Sequence, residues 1–260
     1  MDRSKPPEDS AARFSSRVAD YVRYRPSYPV RMVQDLVAER RLSAGQAVAD
    51  VGSGTGLLSR LFLSAGCRVF GVEPNREMRL AGEAELAGSP GFTSIDGTAE
   101  ATTLLPDSMN CVVAGQAFHW FDRDLARQEF GRVLVPGGGV ALIWNDREYD
   151  STRFLRGYEA LLQEFGTDYG KVNHRNLQPD VFDRFFGAGN YEERSYTNKQ
   201  RLDYPGLEGR LLSSSYTPAP DHPARSGMME RLRQLFQETE KDGLVEILYR
   251  TRVWVGTLNA

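Results

Sequence analysis

Residues 48–58, Val-Ala-Asp-Val-Gly-Ser-Gly-Thr-Gly-Leu-Leu, read as a buried strand, a glycine turn and the opening of a helix. Gly52, Gly54 and Gly56 stand at alternate positions, where the missing Cβ lets backbone pass close to a ligand. Asp50, at the strand's end, is placed to fix the turn or to receive a cationic amine. A dinucleotide fingerprint wants glycines at its first, third and sixth positions. Here the sixth position is Leu57 and the third glycine comes one residue early, at Gly56. That spacing disfavours a pyrophosphate cradle and suits a ligand without phosphates. The β-branched and aromatic run 68–73 ends on Glu73, with Pro74-Asn75 opening the next helix. An acceptor-only carboxylate there can take both hydroxyls of a ribose. Turn and acid by themselves leave a nicotinamide enzyme open. Further along, His119-Trp120 follows a candidate strand, and the pair could line a transfer site. Trp120 offers an electron-rich face to a cation, and His119 can donate to or accept from a substrate oxygen. The plainer alternative is that Trp120 and Phe121 pack the following helix while His119 satisfies a backbone carbonyl.

The elements that must hold these residues alternate. Strand 48–51 precedes helix 57–65, strand 68–73 precedes helix 75–87, and a third strand lies near 91–95. Strand 109–115, helix 122–134 and strand 138–144 follow. Such alternation predicts a parallel sheet with helices on both faces. Ser89-Pro90-Gly91 and residues 136–139, Pro-Gly-Gly-Gly, read as turns, the latter separating the helix from the fifth strand. Before the glycine turn, residues 11–22 carry Phe14, Val18 and Val22 on one helical face, and Pro26 stops that helix near Tyr24. A second helix runs from Pro29 to about Arg41 on a stripe of Met32, Val33, Leu36 and Val37. After 145, a helix is expected over 151–165, irregular chain over 166–190, a strand over 191–201, helices near 206–214 and 224–240, and a last strand over 244–256. A closing hairpin of the last two strands, with helices inserted before it, would cap the sheet edge.

Four segments in order, 50–56 (Asp-Val-Gly-Ser-Gly-Thr-Gly), 72–75 (Val-Glu-Pro-Asn), 97–100 (Gly-Thr-Ala-Glu) and 117–121 (Ala-Phe-His-Trp-Phe), resemble the class I S-adenosylmethionine-dependent methyltransferases. The chain is most similar to their small-molecule branch, which includes the trans-aconitate methyltransferase-like proteins. The resemblance spans roughly residues 12–145 and continues beyond as a layout. It implies a Rossmann-like α/β fold with a seven-stranded, mostly parallel sheet and a helical insertion near the C-terminus. It implies S-adenosylmethionine as cofactor, held by Asp50, Gly52, Ser53, Gly54 and Gly56 at the amino-acid end and by Glu73 at the ribose, with Pro74 and Met78 beside it. Thr98, Ala99 and Glu100 would meet the adenine, although a threonine followed by an acid is also a common helix cap. Gln116 would complete the cofactor contacts. In the family the first segment tends to fold over the cofactor, so Tyr21 or Arg25 could pair with the methionine carboxylate or an acidic substrate; a solvated helix end is the alternative. His119 and Trp120 become the candidate catalytic residues. The Asn/Asp-Pro-Pro-aromatic motif of amide and adenine-amino methylases is absent from this place.

At 260 residues with 40% hydrophobic and 26% charged content, the chain fits a single globular domain. The expected layout is a disordered tail over 1–10, cap helices to 45, a cofactor core over 46–145, and a substrate lid over 146–240 with the last strand at 243–256. A net charge of −3 argues against a polyanion as main partner. Cys67 and Cys111 give no disulfide framework and point to a reducing, cytoplasmic setting. No apolar run is long enough for a membrane span, and the polar N-terminus resembles no leader peptide. The three histidines, His119, His174 and His222, share no metal-ligand spacing, so no metal is expected. Phe154, Tyr158, Phe165, Tyr169, Phe182 and Phe185 are either a lid over the acceptor or ordinary core. The reading is methyl transfer to a small molecule, with O-methylation of a carboxylate or hydroxyl favoured over C-methylation, by a monomer or homodimer without nucleic acid or membrane. The alternatives are a cyclase or binding protein on the same fold and a macromolecule methylase.

Overall fold

The computed structural model describes residues 22–39, 44–167, 169 and 179–258. The alternation of strand and helix produces one seven-stranded sheet in the order β3-β2-β1-β4-β5-β7-β6. β1 (Ala47–Val51), β2 (Arg68–Val72), β3 (Phe92–Ile95), β4 (Met109–Gly115) and β5 (Leu134–Arg147) run parallel. β6 (Tyr191–Leu202) forms the far edge, and β7 (Val245–Gly256) inserts between β5 and β6, antiparallel to both. The helices are α1 (Val30–Glu39), α2 (Leu57–Ser64), α3 (Arg76–Leu86), α4 (Arg123–Val133), α5 (Arg153–Phe165), α6 (Pro179–Phe186), α7 (Tyr204–Leu212) and α8 (Ala224–Thr239). This is the seven-stranded, mostly parallel α/β fold that the resemblance implies.

All five residues of β1 are buried because both faces of the sheet are covered. Ala47, Ala49 and Val51 face a core completed by Phe130 of α4 and by Phe182, Phe185 and Phe186 of α6. Val48 faces the other core, built from Met32, Val33 and Leu36 of α1 and Leu58 and Phe62 of α2. A third cluster joins α5, α7 and α8 to Val245, Ile247 and Tyr249 at the start of β7. Since β7 is antiparallel, that start lies at the carboxyl edge of the parallel strands, with Tyr249 opposite Arg147 at the end of β5. Residues 245–247 continue past β5 and pair with β6. The third cluster therefore stands beside the edge where ligands of open α/β sheets bind.

Two elements differ from expectation. The stretch 166–190, expected to be irregular, contains α6, whose Phe182 stacks on Trp254 at a centroid distance of 4.3 Å. Phe182 and Phe185 belong to the core beneath the sheet, so they do not roof the acceptor side. Residues 136–139 form a bulge inside β5 instead of a turn before it. Met109 pairs with Leu134 and Cys111 with Gly139, leaving extra residues on β5 to loop out. The first candidate helix, the tail over 1–10 and Tyr21 lie outside the described residues, apart from a helical stretch at 22–24 that ends at Arg25.

Candidate active site

The order of strands reverses between β1 and β4, and the crevice at such a reversal is where an α/β sheet takes its ligand. The 52–56 turn leaves β1 on one side. The segment 116–121 leaves β4 on the other, its Phe118–Trp120 portion a turn of 3-10 helix. The two meet at the floor: a Cβ on Gly52, whose φ is +71°, would sit 2.5 Å from the Cβ of Ala117. Only glycine permits that approach in that backbone conformation. Gly56, at φ +80°, precedes α2, and its Cβ would lie 2.6 Å from Leu86 of α3. Its protein neighbour is thus a helix, and Gly54 likewise faces the tip of Met78 at 3.3 Å.

Glu73 organises the turn. Gly54 N donates to its Oε2 at 2.9 Å and Asn75 N to its Oε1 at 2.8 Å. Each carboxylate oxygen retains a lone pair for a further donor, so a vicinal diol can be accepted without breaking either bond. Glu73 is 8% exposed. Burial raises its pKa above the usual carboxylate value, against the lowering effect of the Asn75 and Gly54 amides and of Arg79. Arg79 also ties the strand ends together, donating to the Glu73 carbonyl at 2.9 Å and pairing with Asp96 at 2.8 Å.

Asp50 lies below the same turn, 1% exposed. Its Oδ2 accepts the Ser59 hydroxyl of α2 at 2.6 Å, whereas its Oδ1 is buried with no hydrogen-bond partner among the described residues. Burial lifts this carboxyl to about 7, beyond what the Ser59 hydrogen bonds pull back, with Glu73 nearby adding a smaller push. The Thr55 hydroxyl is also buried without a hydrogen-bond partner among the described residues. An orphaned acceptor and an orphaned hydroxyl beside the glycine turn fit a ligand that brings its own polar groups.

The remaining candidates surround this centre. Thr98 and Ala101 close a small turn through mutual backbone hydrogen bonds, with Ala99 buried beneath. Glu100 is engaged in protein contact, its Oε1 accepting from Asp122 N at 2.8 Å, where Asp122 caps α4. Pro74 is exposed at the rim and Met78 is buried under the turn. Gln116 has φ +59°, a left-handed conformation that strains a residue bearing a side chain. Its Nε2 reaches the carbonyl of Asn145 at 3.4 Å. Phe118 anchors the segment by packing edge-on against Phe185 at 4.8 Å, leaving His119 and Trp120 outside the core with ring centroids 4.7 Å apart. Trp120 is 38% exposed. Arg25 is tied to the C-terminal half, its Nη2 donating to Ser213 O at 2.7 Å. Among the described residues no group of three or more His, Cys, Asp or Glu side chains gathers as a metal site.

Reading the sequence missed Ser59, Arg79 and Tyr28. Ser59 was readable as the polar residue on the first turn of α2 facing back toward Asp50. Tyr28 had no signal: its hydroxyl occupies space beside Gly115 that a Cβ there would enter, at 2.5 Å.

Comparison with known proteins agrees with this geometry. The family model described as a methyltransferase domain matches residues 49–142, from β1 into β5. Among solved structures, a candidate type II methyltransferase from Anaeromyxobacter dehalogenans superimposes with a TM-score of 0.63 at 22% identity, covering 91% of this chain and all of that one. A phosphoethanolamine N-methyltransferase of Haemonchus contortus, solved with S-adenosylhomocysteine, gives 0.52 at 15% identity, covering 95% of this chain and 58% of that one. An uncharacterized methyltransferase of Mycobacterium tuberculosis is 32% identical over 227 residues, 87% of this chain and 86% of the relative. Kinship at that level across nearly the whole of both chains, on this fold, makes the protein a class I S-adenosylmethionine-dependent methyltransferase.

Proposed function

We propose that the acceptor is a small molecule methylated on oxygen, a carboxylate or hydroxyl, with carbon as the second choice. The observation that carries this reading is the roof over the carboxyl edge. The segment 24–28 is stitched to β5 and β6: Gln200 Nε2 donates to Tyr24 O at 3.0 Å, and Asn198 Nδ2 and Asn145 Nδ2 both donate to Ser27 O, at 2.7 and 3.2 Å. Arg25 carries the same segment to Ser213, just past α7. A crevice roofed in this way suits a compact acceptor better than a polymer. The net charge of −3 also disfavours a nucleic acid.

In this reading Glu73 takes the ribose, and the turn at 52–56 with Asp50 takes the amino-acid end of the cofactor. The 97–100 turn lies at the adenine, with Pro74 and Met78 beside it and Gln116 closing the crevice. The cofactor supplies a methyl group already activated by its positively charged sulfur. The protein's part is to align the acceptor atom with that methyl and to exclude water, and alignment of this kind contributes roughly 7–11 kcal/mol. Trp120 presents a ring face suited to a sulfonium. A carboxylate acceptor needs no base, whereas a hydroxyl would draw on His119.

The test is incubation with methyl-labelled cofactor and a metabolite extract. Label in an extractable small molecule, with S-adenosylhomocysteine formed in equal amount, supports the reading. Label in protein or RNA replaces it with a macromolecular acceptor. Binding of the cofactor without formation of S-adenosylhomocysteine would mean that methyl transfer is not the reaction.

A further inference from the structure

Beside the crevice, α5, α7 and β7 enclose a group of side chains that the cofactor does not need. Arg210 of α7 is 6% exposed. Its Nε donates to the Tyr249 hydroxyl at 3.3 Å and its Nη1 to the Ser214 hydroxyl at 3.0 Å. No carboxylate pairs with it among the described residues. Arg147, a second guanidinium facing this group, is neutralised: it pairs with Glu159, and Tyr169 donates to the same carboxylate at 2.7 Å. Arg210 is therefore met by neutral hydroxyls, and a buried cation without a counter-charge is strongly destabilising.

Opposite it, the hydroxyl of Tyr158 on α5 is buried with no hydrogen-bond partner among the described residues. Burial pushes the Tyr158 hydroxyl well above the ordinary tyrosine value. Burial pushes Tyr216 up as well, but the guanidinium of Arg210, a Ser214 hydrogen bond, Arg147 and Arg25 outweigh it and hold that hydroxyl below the ordinary value. The Tyr216 shift reports the positive potential of the neighbouring guanidinium groups, whereas the Tyr158 shift reports burial. The position of this group suits an acceptor. Tyr249 pairs with Arg147, two residues beyond Asn145, whose carbonyl meets Gln116 of the crevice. Two residues along a strand span about 7 Å, the length of a small organic acid.

We propose that Arg210, with the hydroxyl of Tyr158, docks a carboxylate of the acceptor and so fixes which molecules are methylated. The docked group is the one held, not the atom that receives the methyl. A planar carboxylate matches the guanidinium fork and leaves one oxygen for a tyrosine hydroxyl. Its single negative charge balances Arg210; a phosphate would bring up to two. This deepens the small-molecule reading and rests on it.

The experiment is calorimetric titration of the protein saturated with S-adenosylhomocysteine, using glutarate, its uncharged diamide and inorganic phosphate as probes. Glutarate is expected to bind and the diamide not. Arg210→Met should weaken glutarate by about 10- to 100-fold, the loss for charged hydrogen bonds, with affinity for S-adenosylhomocysteine unchanged. Tyr158→Phe, which removes only the orphaned hydroxyl, should weaken glutarate by about 3- to 10-fold without lowering the unfolding temperature. It decides the matter if Arg210→Met does not fold. Glutarate failing to bind, binding equally to both variants, or binding less well than phosphate would overturn the proposal. Failure of the small-molecule reading is seen elsewhere, as label in a macromolecule, while loss of S-adenosylhomocysteine binding reports on the cofactor crevice.

Discussion

Asp50→Asn isolates a large and pH-dependent contribution to folding. The carboxyl titrates at 3.8 when unperturbed and at about 7 in the fold, chiefly because burial penalises its charged form. Its folded pKa exceeds its unfolded one, so stability is greatest below pH 3.8 and declines as pH rises through 7. At ~1.4 kcal/mol per pH unit, the full decline is about 4 kcal/mol. Roughly 2.5 kcal/mol of it falls between pH 5 and pH 8. Asparagine has nearly the same shape, can accept the Ser59 hydroxyl, and cannot ionise. Urea denaturation of both proteins at pH 5 and pH 8 therefore gives a double difference in which other titrating groups cancel. We expect Asp50→Asn to gain about 2.5 kcal/mol on wild type over that interval. A difference between the two proteins that does not move with pH would refute the assignment of the raised pKa to this carboxyl. If Asp50 also receives the cofactor's amino group, binding ionises the carboxyl and releases a proton. Affinity for S-adenosylhomocysteine then rises from pH 6 to pH 8 in wild type and stays level in Asp50→Asn.

Glu73→Ala should weaken S-adenosylhomocysteine by about 1–3 kcal/mol, the loss for charge-assisted hydrogen bonds, as read by calorimetry. An unchanged dissociation constant would remove Glu73 from the ribose. Gly56→Ala should lower stability by about 2–4 kcal/mol in urea denaturation. That sum joins left-handed strain on a residue with a side chain to crowding of Leu86; a change below about 0.5 kcal/mol would show that the turn does not need glycine there.

The cofactor half of the molecule was legible because its geometry is local. Residues 48–58 contain their own strand, turn and helix start, and Glu73 follows on the neighbouring strand, so spacing alone brings them to one edge. The N-caps at Asn75, Asp122 and Thr152 each accept an amide three residues on, and their residue types announce it. Elsewhere the signal was weaker. The helix at 179–186 carries Val181, Phe182, Phe185 and Phe186 at helical spacing after a proline, but it sits in a polar, glycine-containing stretch that masks the period. The glycines at 137–139 read as a turn because nothing local distinguishes a turn from a bulge. That depends on where Met109 and Cys111 find their partners.

The acceptor half could not be read in the same way, for a topological reason. β7 enters the sheet between β5 and β6, an order no local pattern encodes, and its antiparallel direction carries residues 245–249 to the carboxyl edge. That placement brings Tyr249 beside Arg210 of α7 and sets both against Tyr158 of α5, residues that share no motif. The same ladder receives the 24–28 segment through Asn198 and Gln200. In the proposed reading, fixed turns at β1 and β2 thus hold the cofactor. In the same reading, side chains gathered by the inserted strand face the acceptor. Substitutions around Arg210 should accordingly change which acceptor is used while leaving cofactor affinity intact, and substitutions at Glu73 should do the reverse.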